Sequence, residues 1–255
     1  MVIQERDREL LRQLAILRVM DREQAKIIAG FGSTTRVNTR LLALTREGLL
    51  KRFFLGTTAG GAKAIYALSP KGAAYVGIPL RGVQRRNGAA LVGDLFVEHQ
   101  LAVNGIYCAL MSQSAVQREI TLERWQGFSE PLTPGIRLIP DAYLELKTPA
   151  GSSAAFLEMD LGSESRTVWK GKVQNYLLYA LSGQFEKAFR QERFRVLVVA
   201  HSERRLRSIR ETVAQMADKI FWFASLESIH RDGLFAPVWL RPTGDARLPL
   251  IKEPQ

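Results

Sequence analysis

Cysteine is almost absent. Cys108 is the only one in 255 residues, which excludes an intrachain disulfide and a zinc site built on cysteines, and suits a reducing compartment. Histidine is scarce as well: His99, His201 and His230 show no His-x-His spacing, so a histidine-triad metal centre has no ligand set. No Gly-x-x-x-x-Gly-Lys-Ser/Thr phosphate loop is found, and ATP hydrolysis is not indicated. No basic-then-apolar leader follows Met1, and no apolar run nears the ~20 residues that cross a bilayer. A soluble, cytoplasmic protein is therefore expected. The 46% apolar and 24% charged fractions are ordinary for a packed chain, so disorder is not the default, and the length suits one large or two modest domains.

What is present is positive charge, unevenly placed. The formal net charge is +11, and residues 1–90 hold 16 Lys/Arg against 6 Asp/Glu, whereas residues 91–255 hold 20 against 19. A compact basic module favours a polyanion, because each neutralised phosphate releases condensed counterions. Anionic membrane is the competing partner, but the polybasic amphipathic helix with a Trp/Phe face that it would need is missing.

Residues 8–20 read as an amphipathic helix with Leu10, Leu11, Leu14 and Leu17 on one side. Asp21-Arg22-Glu23-Gln24 has the form of a capping box that opens a short second helix. Ser33 can cap a third helix to about 47, with Val37, Leu41 and Leu44 inward and Thr34, Thr35, Arg36, Asn38 and Arg40 outward. That outward set suits the major groove: arginine grips guanine, asparagine suits adenine, and hydroxyls reach phosphates. Two strands around the glycine-rich tip 56–63 follow, with Lys63 at the tip and Lys51 and Arg52 beside it placed for phosphate contact. Three helices and this hairpin resemble the winged helix-turn-helix DNA-binding domains, over about residues 5–76. The bland alternative is a winged helix that binds protein, its arginines simply solvated.

Residues 79–88, with Arg85 and Arg86, read as a linker between a domain at 1–78 and another at 89–255. Either they follow the DNA backbone or they form a solvated tether. The second domain reads as a long helix, three strands, a helix, a strand, a basic helix and a short strand. Its centre is a pair of adjacent strands that carry acids: Ile139-Pro140-Asp141-Ala142-Tyr143, then Phe156-Leu157-Glu158-Met159-Asp160. Strand alternation puts Glu158 and Asp160 on one face, and pairing brings Asp141 near them. Clustered carboxylates repel one another, and a hard divalent cation would relieve them. The alternative is pairing with buried arginines such as Arg137 or Arg195. Arg204, Arg205, Arg207 and Arg210 cover more than one side of the basic helix, for solvent and phosphate alike.

This order, with Pro140-Asp141 at the end of the second strand and Glu158-x-Asp160 on the third, resembles the PD-(D/E)XK restriction-endonuclease-like nucleases. The resemblance implies an α+β or α/β fold whose mixed sheet is flanked by helices, and Mg2+ or Mn2+ held by Asp141 and Glu158, with Asp160 and the helix acid Glu98 as further ligands. Asp160 stands where those enzymes carry a lysine. Lys170 and Lys172 are candidates for a migrated lysine, with Lys172 preferred. Together with the winged helix and the run Lys172-Val173-Gln174-Asn175-Tyr176, the chain resembles the replication-relaxation proteins, among them the MOBC relaxases of conjugative and mobilisable plasmids. The implied function is metal-dependent, site-specific nicking of double-stranded DNA at a transfer origin in plasmid mobilisation or conjugation, with relaxosome or coupling proteins as partners. The other reading is a non-catalytic winged-helix regulator at an operator, or a relaxosome accessory, with a degenerate nuclease domain. A covalent route through Tyr176 or Tyr179 and a homodimer both stay open.

Overall fold

The computed structural model describes residues 2–56, 60–79, 93–116 and 119–251, and the chain divides into two compact units at Cys108/Ala109. The architecture is mixed α+β. The expected linker at 79–88, with Arg85 and Arg86, lies outside the described residues apart from residue 79.

In the first unit, α1 (Glu5–Leu17) buries Leu10, Leu11, Leu14 and Leu17, the stripe expected from helical spacing. The helix stops earlier than the pattern predicts. Arg18 turns the chain at a φ of 66°, and β1 (Val19–Asp21) pairs antiparallel with a strand far along the chain. Asp21 then caps α2 (Arg22–Ile28): its Oδ1 accepts from the Gln24 amide at 2.8 Å, and Gln24 Oε1 accepts from the Asp21 amide at 3.4 Å. Ser33 caps α3 (Thr34–Arg46), which buries Val37, Leu41 and Leu44. The strands β2 (Leu50–Gly56) and β3 (Ala62–Leu68) form an antiparallel hairpin, and the sheet order is β1-β3-β2.

Ser69 caps α4 (Pro70–Val76), with proline at the first helical position. α5 (Asp94–Val116) begins in this unit, where the buried Asn104 amide donates to the carbonyls of Leu17 and Val19 at 3.1 and 2.6 Å. Gln24 Nε2 donates to Leu101 O at 2.8 Å, and the Tyr107 hydroxyl to Gln13 Oε1 at 2.8 Å. These bonds explain why the division falls within α5, later than the expected boundary. The Asn104 side chain thus satisfies one carbonyl that the end of α1 leaves open, Leu17 O, and one at the start of β1, Val19 O.

The second unit is a five-stranded mixed sheet in the order β4-β5-β6-β7-β8. β4 (Thr121–Gln126), β5 (Ala142–Thr148) and β6 (Gly151–Asp160) are antiparallel; β7 (Phe194–Ala200) and β8 (Phe221–Ser225) continue parallel to β6. α6 (Arg166–Leu181) and α7 (Gln184–Phe189) connect β6 to β7, α8 (Glu203–Ala214) connects β7 to β8, and α9 (Leu226–Asp232) follows. Parallel neighbours need such crossovers. One face of the sheet packs Tyr143, Phe156, Val196, Val198, Phe221 and Phe223 against Trp169, Tyr176 and Tyr179 of α6 and Phe185 and Phe189 of α7. The chain beyond α9 docks on its own unit through the pairings Phe223/Leu240 and Trp239/Leu248. Among the described residues, no helix is long and apolar enough to cross a membrane.

Gly72 lies where a Cβ would sit 2.2 Å from Leu49 O and 2.9 Å from Leu68 Cδ1, so only a hydrogen fits. Gly72→Ala should lower stability by about 1–3 kcal/mol, read as a lower urea midpoint at unchanged m. An unchanged midpoint would contradict the close approach of α4 to the β2 entrance.

Candidate active site

The site lies in the second unit, on the sheet face that carries the aromatic core. Alternation along β6 puts Ala154, Phe156, Glu158 and Asp160 on that face, and both acids are buried, at 1% exposure each. Tyr143 pairs with Phe156 and Ala142 with Leu157, so Asp141, just before β5, stands opposite Glu158. Its backbone N–H donates to Leu157 O at 3.1 Å, and its Oδ2 accepts from the Met159 amide at 2.7 Å. The pairing expected of the two acidic strands is present.

Glu158 is met from α6. Lys172 Nζ lies 2.7 Å from Glu158 Oε2 and 2.7 Å from Glu164 Oε1, and the Tyr176 hydroxyl donates to Glu158 Oε1 at 2.6 Å. Lys172 and Tyr176 are one turn apart, so a single helical face serves both oxygens. Burial raises the Glu158 carboxyl; Lys172 pulls it down, Asp141 pushes it up again, and the balance leaves it at about 7. Burial alone would lower the Lys172 ammonium, but Glu158 and Glu164 outweigh it and hold the group charged. Burial and then the neighbouring Glu158 raise the Tyr176 phenol well above its ordinary value. Tyr176 is thus a neutral donor to Glu158. Lys170, the other candidate lysine, is exposed.

Asp160, expected among the ligands, is held quite differently. Its Oδ1 accepts from the Gly162 amide and Arg205 Nε, both at 2.7 Å, and its Oδ2 from Trp169 Nε1 at 2.8 Å and Arg205 Nη2 at 2.7 Å. Four donors fill the four acceptor positions of a carboxylate. Arg205 also donates to Glu164 O, so it ties β6, α8 and the loop before α6 together. Neither arginine considered as a buried partner takes this role: Arg137 is exposed, and Arg195 donates to Leu250 O at 2.7 Å and lies over the Trp222 ring.

Glu164 is a site residue that sequence reasoning missed. It lies in an irregular loop with no periodicity to mark it, yet it shares Lys172, and its Oε2 is buried with no hydrogen-bond partner among the described residues. Glu98 is exposed on the part of α5 that belongs to the first unit, so it is described apart from this group. Among the described residues, no three His, Cys, Asp or Glu side chains are grouped to hold a metal ion.

In the first unit, Thr35, Arg36 and Asn38 are exposed on α3 and Thr34 is half-buried. Arg40 is not outward: it forms an ion pair with the fully buried Asp7, its Nε 2.6 Å from Asp7 Oδ1, and also donates to Val2 O. Lys51 and Arg52 are exposed on β2, with the Arg52 guanidinium 5.3 Å from the Phe54 ring centroid. The Lys63 ammonium lies 2.5 Å from Asp21 Oδ2.

Burial raises the Asp160 carboxyl, but the bonds from Arg205, Trp169 and Gly162 outweigh it and hold it below the ordinary 3.8. A depressed folded-state pKa contributes stability that is present above the unfolded value and lost as pH falls through the folded one. Asp160→Asn should therefore cost about 3 kcal/mol at pH 7 by leaving Arg205 without its anion. The gap to the wild type should narrow in urea titrations below the ordinary aspartate pKa. A gap that does not change with pH would contradict the ion pair.

No curated protein and no solved structure matches the chain. The replication-relaxation family model does, over residues 11–191, more than half of the chain. That span includes Asp141, Glu158, Asp160, Glu164 and Lys172 and ends before Arg205. The chain belongs to the replication-relaxation family.

Proposed function

We propose that the chain is a metal-dependent, site-specific DNA-nicking endonuclease of relaxase type, acting in plasmid mobilisation or conjugative transfer. Family membership suggests a role in plasmid replication or mobilisation. The observation that carries the finer reading is the meeting of Asp141, Glu158 and Lys172: a lysine from α6 places its ammonium 2.7 Å from Glu158. These are the residue types of the PD-(D/E)XK nucleases, with the lysine supplied by the helix instead of the strand. Three antiparallel strands, a helix and a parallel strand also fit that fold. Three helices followed by the β2–β3 hairpin fit a winged helix, with Thr35, Arg36 and Asn38 open for bases and Thr34, Lys51 and Arg52 for phosphates.

The donor set fits Mg2+ or Mn2+. It is all oxygen, burial and then the neighbouring Asp141 raise Glu158, and Glu164 keeps a buried oxygen that has no hydrogen-bond partner among the described residues. Two carboxylates suffice for such a cation when substrate phosphate and water complete its shell. A bound cation would polarise the phosphoryl oxygen and lower the pKa of a water. Lys172 Nζ supplies fixed positive charge for the oxygens of the phosphate under attack. The Met159 amide and the Tyr176 hydroxyl orient Asp141 and Glu158, and Asp160 with Arg205 keeps the surrounding loop in place.

A second reading, a regulator or relaxosome accessory with an inactive domain, is favoured by one observation: Asp160 has no acceptor position left for a metal. Nicking separates the two. Supercoiled DNA carrying the native transfer-origin region should be converted to open circles with Mg2+ or Mn2+. Asp141→Ala should abolish this while leaving DNA binding intact, and Lys172→Met should slow it by about 100-fold. Binding without nicking under either metal would leave the regulator reading standing.

Base reading by α3 is tested separately. Arg36→Ala and Asn38→Ala should each weaken binding to the cognate site by about 1–3 kcal/mol and relax sequence preference. Arg40→Ala should instead lower folding stability by about 3 kcal/mol, because Asp7 would stay buried without its partner. Equal binding losses on random and cognate DNA for Arg36 and Asn38 would remove base reading.

A further inference from the structure

The four arginines of α8 fall into two pairs. Arg205 is spent on Asp160. Arg210 donates from Nε to Arg241 O at 2.6 Å, and its Nη1 lies 3.2 Å from Asp245 Oδ1. Arg204 and Arg207 are exposed and make no ion pair or side-chain hydrogen bond among the described residues. Arg166 and Lys170, one turn apart on α6, are in the same uncommitted state. With Thr167, Glu211, Thr212 and Gln215 they line a cleft of about 180 Å³ between α6 and α8. Arg204 and Arg207 precede Glu211 by seven and four positions, which puts them on the same side of α8.

We infer that Arg166, Lys170, Arg204 and Arg207 form a surface that binds the sugar–phosphate backbone of DNA beside the Asp141–Glu158–Lys172 site. The inference rests on the nuclease reading for its substrate. Charge complementarity supports it: residues 91–255 are nearly neutral, yet two uncommitted cations, Arg166 and Lys170, line the cleft against one carboxylate, Glu211, and two more, Arg204 and Arg207, are exposed on the side of α8 that carries Glu211. The lining offers guanidinium, ammonium, hydroxyl and amide donors and no aromatic ring, so it suits phosphates and not bases. α6 joins the surface to the site, because Lys170 faces solvent while Lys172, two residues on, holds Glu158. A backbone contact of this kind gives affinity and salt dependence without sequence preference.

The test uses the full chain and fluorescence anisotropy on cognate and random duplexes across a salt series. Arg166→Gln/Lys170→Gln and Arg204→Gln/Arg207→Gln should each weaken binding equally on both duplexes. The log–log salt slope should become shallower by about 0.9 for each lost phosphate contact. Lys187→Gln/Lys219→Gln, which also removes two exposed cations, is the control and should leave the slope unchanged. Wild-type slopes in the first two variants, or an equal change in the control, would overturn the inference. Failure of the wild type to nick DNA would overturn the nuclease reading alone, since the slopes are read from binding.

Discussion

Two carboxylates buried two residues apart on one strand face must each find compensation, and the second unit is arranged around how they do so. A charge removed from water without a partner costs several kcal/mol, more than a marginally stable domain can leave unanswered. Glu158 and Asp160 solve the problem with cations from different helices: Lys172 from α6 and Arg205 from α8. Each pair therefore fixes a helix to the sheet. The aromatic cluster beneath them supplies the bulk of the packing, while the two ion pairs set where α6 and α8 sit along the strands.

The two solutions differ in kind. Asp160 is met by a planar fork, an indole and a backbone amide, which fill its acceptor positions and hold it ionised; such a group is a fixed strut. Glu158 is met by one ammonium and one phenol; its burial, and then the neighbouring Asp141, push it up to about 7. One acceptor position on each of its oxygens is left unfilled by those two bonds. Of the two acids, Glu158 is the one whose charge is imperfectly balanced, which is why the proposed chemistry is placed on it.

Much of this was legible in the amino-acid pattern. Alternation placed Glu158 and Asp160 on one face, and the capping residues Asp21 and Ser33 marked helix starts. The rest depends on partners far apart in sequence. Asp160 and Arg205, or Asp7 and Arg40, have no local signature, so Arg205 and Arg40 read as ordinary outward cations. β1 was hidden because three residues become a strand only when β3 lies beside them. Glu164 sits in a loop with no period to betray it. The early end of α1 follows from the same cause, since Val19 and Met20 continue the helical pattern until the sheet claims them.

In the proposed function Asp141 and Glu158 are the cation-holding pair of a phosphodiester site, with Lys172 beside them. The decisive measurement is titration of Mn2+ into this 255-residue chain bound to its DNA, followed by the loss of free-ion paramagnetic resonance signal. One bound Mn2+ per chain is expected, lost in Asp141→Asn and Glu158→Gln and retained in Asp160→Asn. Wild-type protein that takes up no Mn2+, or loses it only in the Asp160 variant, would contradict the assignment.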